Sequence, residues 1–160
     1  MTVRDVGSLA TAIGVAIAAY QLWAAKRQQR TDFEDELNRE YREIVRDLPR
    51  EALLESELSP QRVEEIAGGN FNALYRYIDL SNQQAFLRKE GRISKQRWLE
   101  WSEGIESNLN RPVVDHVWQE VKKGAVGSFT ELQDLEREGA RWDPGATQRR
   151  LARRFRRRSR

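Results

Sequence analysis

His116, the chain's one histidine, stands beside Asp115, and the 160 residues contain no cysteine. Those facts narrow the available chemistry. Disulfides, thiolate nucleophiles and cysteine-ligated metals are excluded, and a zinc site, which needs several ligands held together, has one imidazole to draw on. Adjacent residues on a helix point apart, so Asp115 and His116 do not read as an acid/base pair, and no serine stands at a readable spacing from the histidine. Gly68-Gly69 lacks both the further glycines and the Lys-Ser/Thr of a phosphate-cradling loop. No catalytic residue, metal or cofactor is expected, and the chain reads as a non-enzyme.

Two constellations could still bind something. Asp79, Asn82 and Gln83 share a helix face, with Arg76 one turn earlier and Arg92 just past the expected helix end. They could line a small polar pocket; the favoured reading is a hydrogen-bonded network that fixes how two helices pack, since polar groups removed from water need partners. The second constellation is a basic arm. Arg149, Arg150, Arg153, Arg154, Arg156, Arg157, Arg158 and Arg160 fall in a stretch with no acid, and Lys26, Arg27 and Arg30 form another basic cluster. Removing these eleven charges from the net +3 leaves −8, so an acidic body lies between basic flanks. Three partners compete for the arm. Anionic lipid is favoured, each basic residue near such a surface contributing about 1 kcal/mol. An acidic protein surface comes next, because residues 31 to 65 hold twelve carboxylates against five arginines. Nucleic acid is third, since no recognition module accompanies the arginines.

The elements that position these groups begin with residues 6–25, twenty residues without a charge. At about 1.5 Å per helical residue they match a hydrocarbon layer of roughly 30 Å, which predicts a single transmembrane helix. Tyr20 and Trp23 suit the headgroup level, and the following Lys26, Arg27 and Arg30 place the C-terminal side in the cytoplasm, giving a single-pass protein of the inner membrane with residues 1–5 outside. Seven of the twenty residues are alanine, and Ser8, Thr11 and Gln21 dilute the segment further. A buried helix of a soluble protein and a cleaved signal peptide are the competing readings. Ala10, Gly14 and Ala18 recur every four residues, a ridge along which a second copy could approach, so a homo-oligomer is expected through this helix.

Beyond the anchor the pattern is helical throughout. Thr31 with Glu34 reads as a capping box, although a helix could also continue straight through, and Phe33, Leu37, Tyr41, Ile44 and Leu48 form one apolar stripe that Pro49 ends. Ser59-Pro60 predicts a helix start, Gly68-Gly69 a break, and Asn70 the cap of a helix with Phe71, Leu74, Tyr75, Ile78 and Phe86 inward. Ser94 caps a helix bearing Trp98, Trp101, Ile105 and Leu109. Val114, Val117, Trp118 and Val121 make the next stripe, and Ser128 with Glu131 reads as a second capping box opening a helix over Leu132 and Leu135. The expected fold class is all-α: a transmembrane helix at 6–25, a membrane-proximal amphipathic helix at 26–50, a cytoplasmic helical bundle at 51–141 and an Arg-rich arm at 142–160.

The run Tyr75-Arg76-Tyr77-Ile78-Asp79-Leu80-Ser81-Asn82-Gln83-Gln84, with Gly91-Arg92-Ile93-Ser94, Trp98, Trp101, Gly104-Ile105, Asn108 and Pro112, resembles small bacterial membrane-anchored helical proteins of unknown function. The resemblance spans about residues 71–122 and implies a bacterial membrane-tethered helical domain without an assigned activity. The expected function is a membrane-tethered, non-enzymatic interaction or scaffold module, as in a bacterial stress or defence system. One alternative is a ligand-gated membrane effector whose cytoplasmic domain binds a small anionic signal. The other is a nucleic-acid-binding membrane protein acting through the arginine arm.

Overall fold

The computed structural model describes the backbone of residues 3–146, with side chains from Ile13 onward. The described residues form seven helices and no strand: α1 (Val3–Asp47), α2 (Arg50–Leu54), α3 (Pro60–Gly69), α4 (Phe71–Lys89), α5 (Lys95–Leu109), α6 (Pro112–Gly124) and α7 (Thr130–Glu138). The fold is all-α, as the pattern of stripes and breaks implies. The chain divides into two units between Glu36 and Leu37.

In the first unit α1 runs past Thr31 without a break. Thr31 is therefore not an N-cap; its hydroxyl donates to the Arg27 carbonyl 3.2 Å away, the back-bonding that a mid-helix threonine makes. Tyr20 and Trp23 pair at 6.1 Å between ring centroids, and the Arg27 guanidinium lies over the Trp23 ring at 5.6 Å. Among the described residues no helix is long and apolar enough to cross a membrane. The transmembrane span expected at 6–25 is thus not supported among them; the side chains of its first seven residues, 6–12, lie outside the described ones.

In the second unit Leu37, Ile44 and Leu48 of α1 are buried. Pro49, which has no amide hydrogen to donate, sits between α1 and α2. Ser59 caps α3 by accepting from the Arg62 amide at 3.3 Å, with Pro60 in the first turn, and Ser94 caps α5 by accepting from the Arg97 amide at 3.2 Å. Asn70 does not cap α4; its amide donates to the Ile66 carbonyl and closes the end of α3. The second capping box is also displaced. Phe129, not Ser128, is the N-cap of α7, in the left-handed region at φ 57°, and its ring packs edge-on to Trp118 and Tyr75.

Helix α4 is the hub and packs against α3, α5, α6 and α7. That explains why one apolar stripe described it poorly. Leu74 and Ile78 are inside as expected, but Tyr75 and Phe86 are exposed, and Tyr77, Ser81, Gln84 and Arg88 are buried instead. A helix covered from several sides buries more than one face, and polar residues on those faces need partners. Trp98, Ile105 and Leu109 of α5, Val113, Val114, Val117, Trp118 and Val121 of α6, and Leu132 and Leu135 of α7 complete the core.

The segment after α7 folds back onto the bundle. The Ser102 hydroxyl donates to the Ala140 carbonyl at 2.9 Å and the Trp98 indole to the Trp142 carbonyl at 2.7 Å, while the rings of Trp98 and Trp142 meet edge to face. Arg88 holds Asp143 through two 2.8 Å bonds and donates a third to the Ile93 carbonyl. Asp143 in turn accepts from the Gly145 amide, and a Cβ at position 145 would lie 2.9 Å from the Arg88 carbonyl oxygen, so the backbone approaches here as only glycine permits. The arm read as 142–160 therefore begins with a packed strap at 142–146.

Candidate functional site

The residues singled out from sequence go to three places. The arginines from Arg149 to Arg160 and the side chain of Ala10 lie outside the described residues. Gly14 and Ala18 are exposed on α1, and a Cβ at Gly14 would meet open space, so the ridge they form is uncovered within the chain. Lys26, Arg27 and Arg30 are exposed on the same helix.

The proposed polar pocket does not assemble. Arg76 turns to Asp47 of α1 in an exposed pair at 3.4 Å. Asn82 points the other way and accepts from the Leu132 amide at 3.1 Å. Leu132 is the third residue of α7, so the Asn82 carbonyl oxygen supplies from α4 the bond that an N-cap side chain would normally make. That is the packing-network reading, with α7 locked to α4. Asp79 and Gln83 are exposed, and Arg92 is exposed beyond the end of α4.

His116 is exposed on α6 and borders an open groove of about 680 Å³ between α3 and α6, whose floor includes Val63 and Pro112. Asp115 beside it is occupied, accepting from Gln119 at 2.7 Å. No group of three or more histidine, cysteine or carboxylate side chains that could hold a metal ion occurs among the described residues.

A different site emerges at a partly open cavity of about 220 Å³ where α1, α4 and α5 meet. Asn38 and Tyr41 line it from α1, Tyr77 and Gln84 from α4, and Glu100, Trp101, Gly104, Ile105 and Asn108 from α5. Tyr77 and Gln84 stand seven residues apart, as do Trp101 and Asn108, so each pair lies two turns apart on one helix face. The Tyr77 hydroxyl accepts from the Asn108 amide at 3.0 Å, and its ring lies 6.3 Å from that of Tyr41. Burial pushes the Tyr77 phenol up to about 12, against the bond from Asn108, which pulls it down. The signal available in the sequence is Gln84 and Asn108 in phase with aromatic core positions, amides set within otherwise apolar stripes.

Elsewhere in the bundle Lys89 of α4 and Glu131 of α7 meet at 2.8 Å. Burial alone would raise the Glu131 carboxyl, but bonds from Lys89 and Thr130 outweigh it and leave the group below its ordinary 4.5. Lys89 is raised by the same bond.

Comparison with protein-family models, with curated proteins and with solved structures finds no match. The functional reading therefore rests on the residues themselves.

Proposed function

We propose that this chain is a membrane-attached interaction module that binds rather than catalyses, with its N-terminal apolar segment seated in lipid and its helical unit presented at the surface. The observation that carries the reading is the exposure of Ile13, Val15, Ile17, Tyr20, Leu22 and Trp23, each between 53% and 67% exposed, directly before Lys26, Arg27 and Arg30. A helix that is apolar around its circumference needs a cover, and the aromatic-then-basic order fits the headgroup boundary. Binding rather than catalysis fits the conspicuous polar groups of the bundle: Asn82, Ser102, Arg88 and Asp143 are all engaged in bonds that hold helices or the strap in place. The arginine arm is proposed to lie on anionic lipid, where the tether keeps it at high local concentration.

A second reading has a specific observation behind it. Gly14 and Ala18 are exposed and leave room for close approach, so on this reading the same side chains are covered by a protein helix, a second copy included, along them. Fractionation separates the two. Lipid seating requires that the full chain stay with membranes through high salt and alkaline carbonate, and that deletion of residues 1–25 release it; extraction by salt alone would contradict it. Protein cover requires a chain that salt releases, and whose oligomer is lost in Gly14→Ile.

A further inference from the structure

The partly open cavity between α1, α4 and α5 is walled by groups whose hydrogen-bonding capacity is only partly used. Gln84 is 4% exposed, yet its carboxamide has no hydrogen-bond partner among the described residues and lines the cavity. Asn108 gives one amide hydrogen to the Tyr77 hydroxyl, and its own side-chain carbonyl oxygen accepts no bond among the described residues. None of these atoms is among the fully buried polar atoms that lack a partner, so they are open to whatever fills the cavity, and amide and phenol groups placed around one space suit an occupant that bonds to them.

The chemistry of the walls restricts that occupant. No lysine or arginine lines the cavity, which disfavours an anion. Glu100 is the one formal charge there, and its carboxylate is paired with Arg97 at 2.9 Å, so a cation would find the charge already offset. What remains is neutral: carboxamides able to read donor and acceptor edges, together with the rings of Tyr41 and Trp101 as stacking faces. At about 220 Å³ the space is below the roughly 300 Å³ at which pockets for drug-sized ligands begin, so it suits one small ring system.

We propose that the cavity between α1, α4 and α5 is a binding site for a neutral planar heterocycle of the nucleobase class, held by Gln84, Asn108 and Tyr77 at its polar edge and by Tyr41 and Trp101 at its faces. The ligand differs from the small anionic signal of the ligand-gated alternative in being uncharged. It is independent of how the N-terminal segment is covered.

Gly104 provides a clean test. It lies in the middle of α5 on the cavity wall, and a Cβ there would meet nothing within 4 Å. Gly104→Leu therefore adds a bulky side chain at the exposed rim of the cavity without a clash while improving helix propensity, so loss of binding will not be mistaken for loss of folding. The experiment is equilibrium dialysis of the full-length chain in detergent against adenine, uracil, choline and benzoate, with thermal unfolding of each variant measured alongside. One of the two heterocycles is expected to bind saturably at one per chain, and better than choline or benzoate. Gln84→Leu should weaken it about tenfold, the size of one lost bond to a buried neutral group. Gly104→Leu should abolish it with unfolding at or above the wild-type temperature. Heterocycle binding no better than that of choline or benzoate, absence of binding at millimolar concentration, or unchanged binding by Gly104→Leu would overturn the proposal.

Discussion

Asp143→Ala should be the most damaging single substitution in the strap. Arg88 and Asp143 are joined by two 2.8 Å bonds with side chains only 5% and 10% exposed. Removing the carboxylate strands a buried guanidinium whose other described bond goes to the Ile93 carbonyl. Breaking a buried pair from one side costs about 3–5 kcal/mol, whereas an exposed pair is worth about 0–1 kcal/mol. The molecule contains its own control in Arg76 and Asp47, at 3.4 Å with side chains more than half exposed. With a urea slope of about 2 kcal/mol per molar, Asp143→Ala should lower the unfolding midpoint by roughly 2 M and Asp47→Ala by less than about 0.5 M. The assay is urea unfolding of the full-length chain in non-ionic detergent, followed by tryptophan fluorescence, which reports on Trp98 and Trp142 directly. Arg88→Met combined with Asp143→Leu should recover much of the loss, because both charges leave together. Equal shifts for Asp143→Ala and Asp47→Ala would refute the reasoning that burial, not pairing as such, sets the cost.

Asn82→Ala should cost about 1 kcal/mol by uncapping α7, while Asn82→Asp, which keeps the acceptor, should cost less; urea midpoints at constant slope measure both. Tyr77 should ionise near pH 12 in a spectrophotometric titration. Because its folded value is raised, the stability it confers is complete below about pH 10 and is lost as pH rises through about 12, so Tyr77→Phe should flatten the alkaline decline in unfolding midpoint. Glu131 has the opposite sign: its folded value is depressed, so its contribution is present above 4.5 and is lost as pH falls through the folded value, and Glu131→Gln should flatten the acid limb of the same profile.

Much of the helical layout was legible because it is local. Proline, glycine and serine at element ends act through their own backbone neighbours, and Ser59, Pro60, Ser94 and Pro112 each do in the structure what their chemistry requires. The valine and tryptophan stripe of α6 was legible for the same reason, since one face meets the core. What sequence could not give is long-range pairing. The cap of α7 comes from Asn82, fifty residues earlier, and the partner of Asp143 is Arg88, fifty-five residues earlier. Nothing in local spacing marks such partners. The cavity was hidden likewise, because Gln84 and Asn108 become neighbours only when α1, α4 and α5 come together. Trp142, Asp143, Pro144 and Gly145 were absorbed into the arginine-rich tail by proximity, although their composition differs from it.

The most direct measurement of whether the exposed apolar helix sits in lipid uses the absence of cysteine. Val15→Cys in the full-length chain creates a single thiol on which an environment-sensitive dye reports, and Val126→Cys, at a position 87% exposed in the bundle, gives the reference. In vesicles containing anionic lipid, the dye at position 15 should emit as in hydrocarbon and be quenched by a quencher carried on the lipid chains, while the dye at 126 should emit as in water and escape it. A water-like dye at position 15 in those vesicles, or a shielded one that lipid-borne quencher does not reach, would contradict membrane seating.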